Sequence, residues 1–142
     1  MPRWVGIDYG SRRIGLALSD PGARIATPAE ALDAVGEPVR DARRVTDWSA
    51  PHQPDGFVVG LPLNMDGSAG PQAEQTRRFA AALERLAALP VRLQDERLST
   101  FQADQHLRAA DVPARKRKGR RDAVAAQVIL QSFLDAQSDP PP

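Results

Sequence analysis

The stretch Trp4-Val5-Gly6-Ile7-Asp8-Tyr9-Gly10-Ser11-Arg12-Arg13-Ile14-Gly15-Leu16-Ala17-Leu18-Ser19 reads as two strands about a turn, with one carboxylate set into a strand that is otherwise core. In the second strand Ile14, Leu16 and Leu18 face one way at period two, while Gly15, Ala17 and Ser19 leave a small-residue face on which another element can pack closely. Gly10-Ser11-Arg12-Arg13 supplies the turn, in which glycine can take a positive φ. An ionised Asp8 beside Val5 and Ile7 is costly to bury unless it is paired, hydrogen-bonded or bound to a cation. Asp8 is therefore a candidate metal ligand; the alternative is an Asp that caps an ordinary hairpin turn.

Beyond the hairpin, residues 23–29 are expected to add a third short strand. Val39, Val45 and Trp48 mark a helix over 38–50 that is opened by Pro38. Gly56-Phe57-Val58-Val59-Gly60-Leu61 is nearly all apolar, as in a parallel strand covered on both faces. Residues 62–70, with Asn64, Asp66-Gly67 and Ser68, carry the turn chemistry of a loop at that strand's end. Phe79, Leu83 and Leu86 recur at helical spacing over 71–89. Residues 91–94 read as another strand, and Ser99-Thr100-Phe101-Gln102 offers a capping box for a helix to about Ala110. Val124, Val128, Ile129, Phe133 and Leu134 predict a last helix over 122–134 that covers a sheet. Strands alternating with helices predict a single α/β domain over 1–137, with 138–142 as a frayed tail.

The chain of 142 residues is long enough to bury a core, and its lack of cysteine excludes disulfides and thiolate metal sites. His52 and His106 are too few and too far apart for a histidine-rich zinc site. No segment has the length of a membrane helix, and the first residues lack a signal-peptide layout, so a cytoplasmic protein with no membrane partner is expected. The net charge of +1 hides a segregation, because Arg115-Lys116-Arg117-Lys118-Gly119-Arg120-Arg121 holds six of the nineteen basic residues. Crowded cations repel one another, and a nucleic-acid backbone relieves that repulsion by releasing its counterions. This run is expected to be a phosphate-binding loop, against the alternative of a solvated surface loop.

Three acids fall at element ends, where sites form in open α/β sheets: Asp8, Glu96 just past Leu93, and Asp122 opening the last helix. Three oxygen ligands from separate elements suit Mg²⁺ or Mn²⁺. Each also has a structural alternative, since Asp122 is a ready helix cap and Glu96 can pair with Arg97 or Arg92. Asp95 adjoins Glu96, and strand alternation allows only one of the two into a site. Asp66-Gly67-Ser68-Ala69-Gly70 lacks the first glycine of a nucleophile elbow, and no Gly-Lys-Ser/Thr phosphate loop is present.

Gly6-Ile7-Asp8-Tyr9-Gly10 with Ile14-Gly15-Leu16-Ala17, Val59-Gly60-Leu61-Pro62 with Asn64-Met65-Asp66-Gly67-Ser68, Asp95-Glu96-Arg97-Leu98-Ser99-Thr100, and Asp122-Ala123-Val124-Ala125-Ala126 together resemble the YqgF (RuvX) family. The resemblance implies a ribonuclease H-like fold: a central mixed five-stranded sheet, its first three strands antiparallel, flanked by helices. It also implies a nuclease of pre-16S ribosomal RNA related to Holliday-junction resolvases, with its acidic positions on Asp8, Glu96 and Asp122. Junction resolvases place a glutamate and a second aspartate where this chain has Gly60 and Gly119, and Glu96 is the carboxylate available to substitute. Nucleic-acid contacts are expected from Arg12, Arg13, Asn64, Arg115, Lys116, Arg117, Lys118, Arg120 and Arg121. The function expected is metal-dependent phosphodiester hydrolysis on structured RNA, by a monomer or homodimer. Alternatives are a nuclease of branched DNA, a non-catalytic ribosomal-RNA-binding assembly factor, and an actin-like ATPase, for which the chain has room for only one of the two domains.

Overall fold

The computed structural model describes residues 3–96 and 114–138, with the side chains of 114–119 and 138 left aside. Strands β1 (Trp4–Tyr9), β2 (Arg13–Ser19) and β3 (Ala26–Asp33) come first, followed by helix α1 (Pro38–Ser49) and strand β4 (Gly56–Leu61). Helix α2 (Pro71–Ala87), strand β5 (Val91–Asp95) and helix α3 (Ala114–Ser138) complete the described chain. The five strands form one sheet in the order β3-β2-β1-β4-β5. The first three pair antiparallel with one another, whereas β4 runs parallel to both β1 and β5, which is the mixed sheet expected from the sequence.

Alternation along the strands sorts the core into two faces. Val5, Ile7, Tyr9, Ile14, Leu16, Phe57 and Val59 pack under α1 and α2, against Ala42, Val45, Phe79 and Leu83. On the opposite face, Trp4, Ala17 and Val58 meet Ala126, Ile129, Leu130, Phe133 and Leu134 of α3. Strand β4 is buried along its whole length, as its apolar run demands. The small-residue face of the hairpin does what its composition permits, because α3 lies directly on it. A β-carbon at Gly15 would stand 1.9 Å from the Asp122 carbonyl oxygen, and one at Gly6 2.6 Å from Leu130 Cβ.

Several sequence expectations shift. Residue 10 does not use a left-handed conformation. Its amide donates to the Arg13 carbonyl at 2.9 Å, and a β-carbon would lie 2.8 Å from that oxygen, so the turn needs glycine for close approach. The third strand starts later and runs to Asp33, bulged between Leu16 and Ala17 of its partner. Helix α2 ends at Ala87, where Ala88 turns left-handed and its N–H bonds to the Glu84 carbonyl. The largest change concerns the last helix, which begins at Ala114 rather than at Asp122. The basic run 115–121 is therefore helical and not a loop, in keeping with the high helix propensity of Arg and Lys, and Gly119 is tolerated inside it. The helix expected over 99–110 and the tail residues 139–142 lie outside the described residues.

Buried polar contacts lock the elements around the carboxyl end of β1. Asp41 of α1, fully buried, accepts from the Tyr9 hydroxyl at 2.6 Å and from the Val35 and Gly36 amides at 2.8 and 3.1 Å. The Tyr9 ring stacks on Phe79, with centroids 4.1 Å apart, and its carbonyl accepts from the Gln72 side chain at 3.2 Å. Burial and the Asp41 carboxylate push the Tyr9 hydroxyl's pKa upward, so it stays a donor. The end of β1 is thus fixed to both α1 and α2.

Candidate functional site

Asp8 sits one residue before the end of β1, on the face that α3 covers. Its neighbour across the β1–β2 ladder is Gly15. Because Gly15 has no side chain, the α3 backbone comes down on the sheet at Asp122, and that approach brings the Asp122 carboxylate within electrostatic reach of Asp8. Asp122 lies more than two turns inside α3, which rules out the helix-capping role that its sequence position allowed.

Glu96 arrives from the other side. The Leu61 carbonyl accepts its amide at 3.2 Å, extending the β4–β5 pairing by one residue. Its side chain crosses β4 to hydrogen-bond Asp8. The space that it uses is the one Gly60 leaves empty, since a β-carbon there would stand 2.3 Å from Glu96 Oε2 and 2.5 Å from Ile129 Cδ1. Glu96 therefore occupies the room of the missing side chain on the central strand. Asp95 is exposed on the edge strand, so of the two adjacent acids it is Glu96 that turns inward.

Crowding sets the charge state of the pair. Burial, then repulsion from Asp122, raises Asp8 to about 6. Burial, then repulsion from Asp8, raises Glu96 to about 8. Arg121 partly relieves Asp8 whereas Asp95 further opposes Glu96, and the pair, hydrogen-bonded carboxyl to carboxyl, holds on to a proton above the ordinary carboxylate range. Two carboxyls hydrogen-bonded to each other, with a third carboxylate in electrostatic reach, form an oxygen-only donor set, and such a set fits Mg²⁺ or Mn²⁺. Among the described residues, however, no group of three or more His, Asp or Glu side chains stands together tightly enough to hold an ion. The third acid is engaged elsewhere. Asp122 Oδ2 accepts from Arg13 Nε at 2.6 Å.

The basic residues expected at nucleic acid divide by position. Arg13 and Arg121 reach the acids, the first by the ion pair with Asp122 and the second through its field at Asp8. Arg12 is exposed in the β1–β2 turn. Arg120 lines a shallow groove of ≈ 290 Å³ between α3 and β3, with Pro28, Glu30 and Ala123. Asn64 is exposed in the loop after β4, where its side-chain amide donates to Ser68 Oγ at 3.0 Å. Arg115, Lys116, Arg117 and Lys118 lie in the first turns of α3, their side chains outside the described set. Sequence reasoning missed the pairing of Arg13 with Asp122 and the vacancy at Gly60. The signal for the first was present, because Arg13 and Gly15 share a strand face and Gly15 is opposite Asp8.

The sequence profile of the RuvX family, described as Holliday junction resolvase, matches residues 2–136. A relative from Rhizobium leguminosarum bv. trifolii is 45% identical over 133 residues, covering 94% of this chain and 81% of its own. One from Anaeromyxobacter dehalogenans is 44% identical over 136 residues, covering 96% of this chain and 98% of its own. Both bear the name pre-16S rRNA nuclease. Among solved structures, Thermus thermophilus RuvC in complex with a Holliday junction substrate superposes with a TM-score of 0.60 at 16% identity, covering 96% of each chain. A second RuvC structure from T. thermophilus gives 0.54 at 18% identity, covering 95% of each chain. The fold is that of RuvC, a ribonuclease H-like fold, and with a matching profile over nearly its whole length this chain belongs to the RuvX (YqgF) family.

Proposed function

We propose that this chain is a divalent-metal-dependent nuclease that hydrolyses phosphodiester bonds in structured RNA, acting on the precursor of 16S ribosomal RNA. One observation carries the reading: Asp8 and Glu96 are hydrogen-bonded to each other at the carboxyl ends of the parallel strands, with Asp122 in electrostatic reach, in a family whose members bear a nuclease name. Asp8, Glu96 and Asp122 would hold Mg²⁺ or Mn²⁺. Held there, such an ion would supply positive charge to polarise an attacking water and the phosphate.

The chain's own groups do the rest. Asp8 is fixed because the end of β1 is locked through Tyr9 to Asp41 and Gln72. Glu96, raised by burial and by the Asp8 carboxylate to which it is hydrogen-bonded, is a group able to hold a proton at the site. Arg12, Arg13, Asn64, Arg120 and Arg121, with Arg115, Lys116, Arg117 and Lys118 on the helix before them, bind backbone phosphates and set the strand's position without reading its sequence. Residues 1–137 form the nuclease domain, which works in the cytoplasm where ribosomal precursors are processed. No helix among the described residues is long and apolar enough to cross a membrane.

The test is cleavage of a 5′-labelled RNA hairpin and of a four-way DNA junction with Mn²⁺, by the wild type and by Asp8→Asn and Glu96→Gln. Cleavage of the RNA that both substitutions abolish while the fold survives supports the reading. Cleavage by Asp8→Asn at the wild-type rate overturns the assignment of the site, and cleavage of the junction alone overturns the assignment of the substrate.

A further inference from the structure

The third carboxylate already has a partner, and the partner is badly placed for a purely structural role. Arg13 emerges at the start of β2, beside the turn, on the strand face shared with Gly15. Its side chain remains 37% exposed, and it holds Asp122, 24% exposed, through Nε alone. Among the described residues its terminal amino groups make no hydrogen bond, so the donors best suited to fork onto a phosphate are left for another ligand. The acid that Arg13 grips is the carboxylate whose field reaches Asp8.

Resting on the nuclease reading above, we propose that Arg13 is a displaceable counter-ion of Asp122, which exchanges that carboxylate for a backbone phosphate of the substrate when a divalent cation takes its place. An ion and a guanidinium compete for the same Asp122 oxygens, while phosphate and Asp122 compete for the same guanidinium. Each ligand thereby removes the other's competitor. Cation and nucleic acid then favour one another's binding through a residue of the chain, and by linkage the effect is reciprocal. Arg13 acts on the cation only through Asp122 and is in that respect a positioning residue.

The sign of one binding constant separates this from a structural clamp. Mn²⁺ is titrated into the wild type and into Arg13→Gln, without and with a phosphorothioate-protected RNA hairpin, alongside KM and kcat for the unprotected hairpin. Loss of a half-exposed competing ion pair should tighten Mn²⁺ binding of free Arg13→Gln about twofold to fivefold. The gain in Mn²⁺ affinity on adding RNA should shrink by a similar factor, and KM should rise several-fold with kcat at saturating Mn²⁺ within about twofold. Arg13→Lys, which keeps the charge but not the fork, should restore the wild-type Mn²⁺ constant while leaving KM raised. If Arg13 only orients Asp122, Arg13→Gln binds Mn²⁺ more weakly, and that result overturns the proposal while leaving the nuclease reading intact. A wild type that neither binds Mn²⁺ saturably nor cleaves RNA overturns both.

Discussion

Adding a single methyl group at Gly15 tests how the fold builds the site. The new Cβ would meet the Asp122 carbonyl oxygen at 1.9 Å and its carbonyl carbon at 2.4 Å, and ordinary contact begins near 3.4 Å. Both partners are backbone, so no rotamer can relieve the overlap, and α3 must lift by about 1.5 Å at the point where it carries Asp122. Overpacking of this kind costs ~1–3 kcal/mol, and the upper end applies where main chain meets main chain. In a chain of this size that lowers Tm by roughly 5–10 °C. The consequence for chemistry is larger, since a misplacement of ~1 Å can reduce catalysis on the order of 100-fold. The control is Gly56→Ala at the opposite end of the sheet, where a Cβ meets the Trp4 ring at 2.4 Å in the same core layer. Cleavage per folded molecule, measured beside thermal melts, should collapse in Gly15→Ala and survive in Gly56→Ala. Wild-type specific activity in a destabilised Gly15→Ala would refute the claim that this close approach positions Asp122.

Three further outcomes follow from the geometry. Gly60→Ala puts a Cβ 2.3 Å from Glu96 Oε2, so Glu96 must leave Asp8, and cleavage should fall to the level of Glu96→Gln with Mn²⁺ affinity reduced in parallel. Asp8 rises from 3.8 to about 6 and Glu96 from 4.5 to about 8, so between those limits the folded chain binds more protons than the unfolded one. Stability in chelator should therefore fall as pH rises from about 4 to about 8, with a shallower slope in Asp8→Asn, as followed by thermal melts at each pH. Tyr9→Phe removes the 2.6 Å hydrogen bond to buried Asp41 and should cost about 1–3 kcal/mol in urea unfolding.

What could be read in the sequence was what depends on near neighbours. The alternation of Ile14, Leu16 and Leu18 against Gly15, Ala17 and Ser19 encodes a face that admits a helix backbone, and the apolar run 56–61 encodes a strand buried on both sides. Strand β3 was harder to delimit because most of its residues are exposed on the sheet edge, and Pro28 interrupts any alternation. The start of α3 was misplaced because its apolar stripe begins only at Ala123, whereas the turns before it rest on the helix propensity of Arg and Lys. Asp8 and Glu96 were legible as unexplained charges at strand ends, and Asp122 as an acid at the head of the last apolar stripe, although it lies well inside α3. Their partners were not, because Arg13 and Asp122 are 109 positions apart and only the packing of α3 on Gly15 joins them.

The claim that Asp8, Glu96 and Asp122 form a cation-dependent nuclease centre is tested most directly by anomalous diffraction from crystals soaked in Mn²⁺. A peak is expected at the oxygens of Asp8 and Glu96, with Asp122 drawn toward it and away from Arg13. Crystals that take up no Mn²⁺ at these carboxylates, with Asp8 and Glu96 still hydrogen-bonded to each other and Asp122 still paired with Arg13, would contradict it.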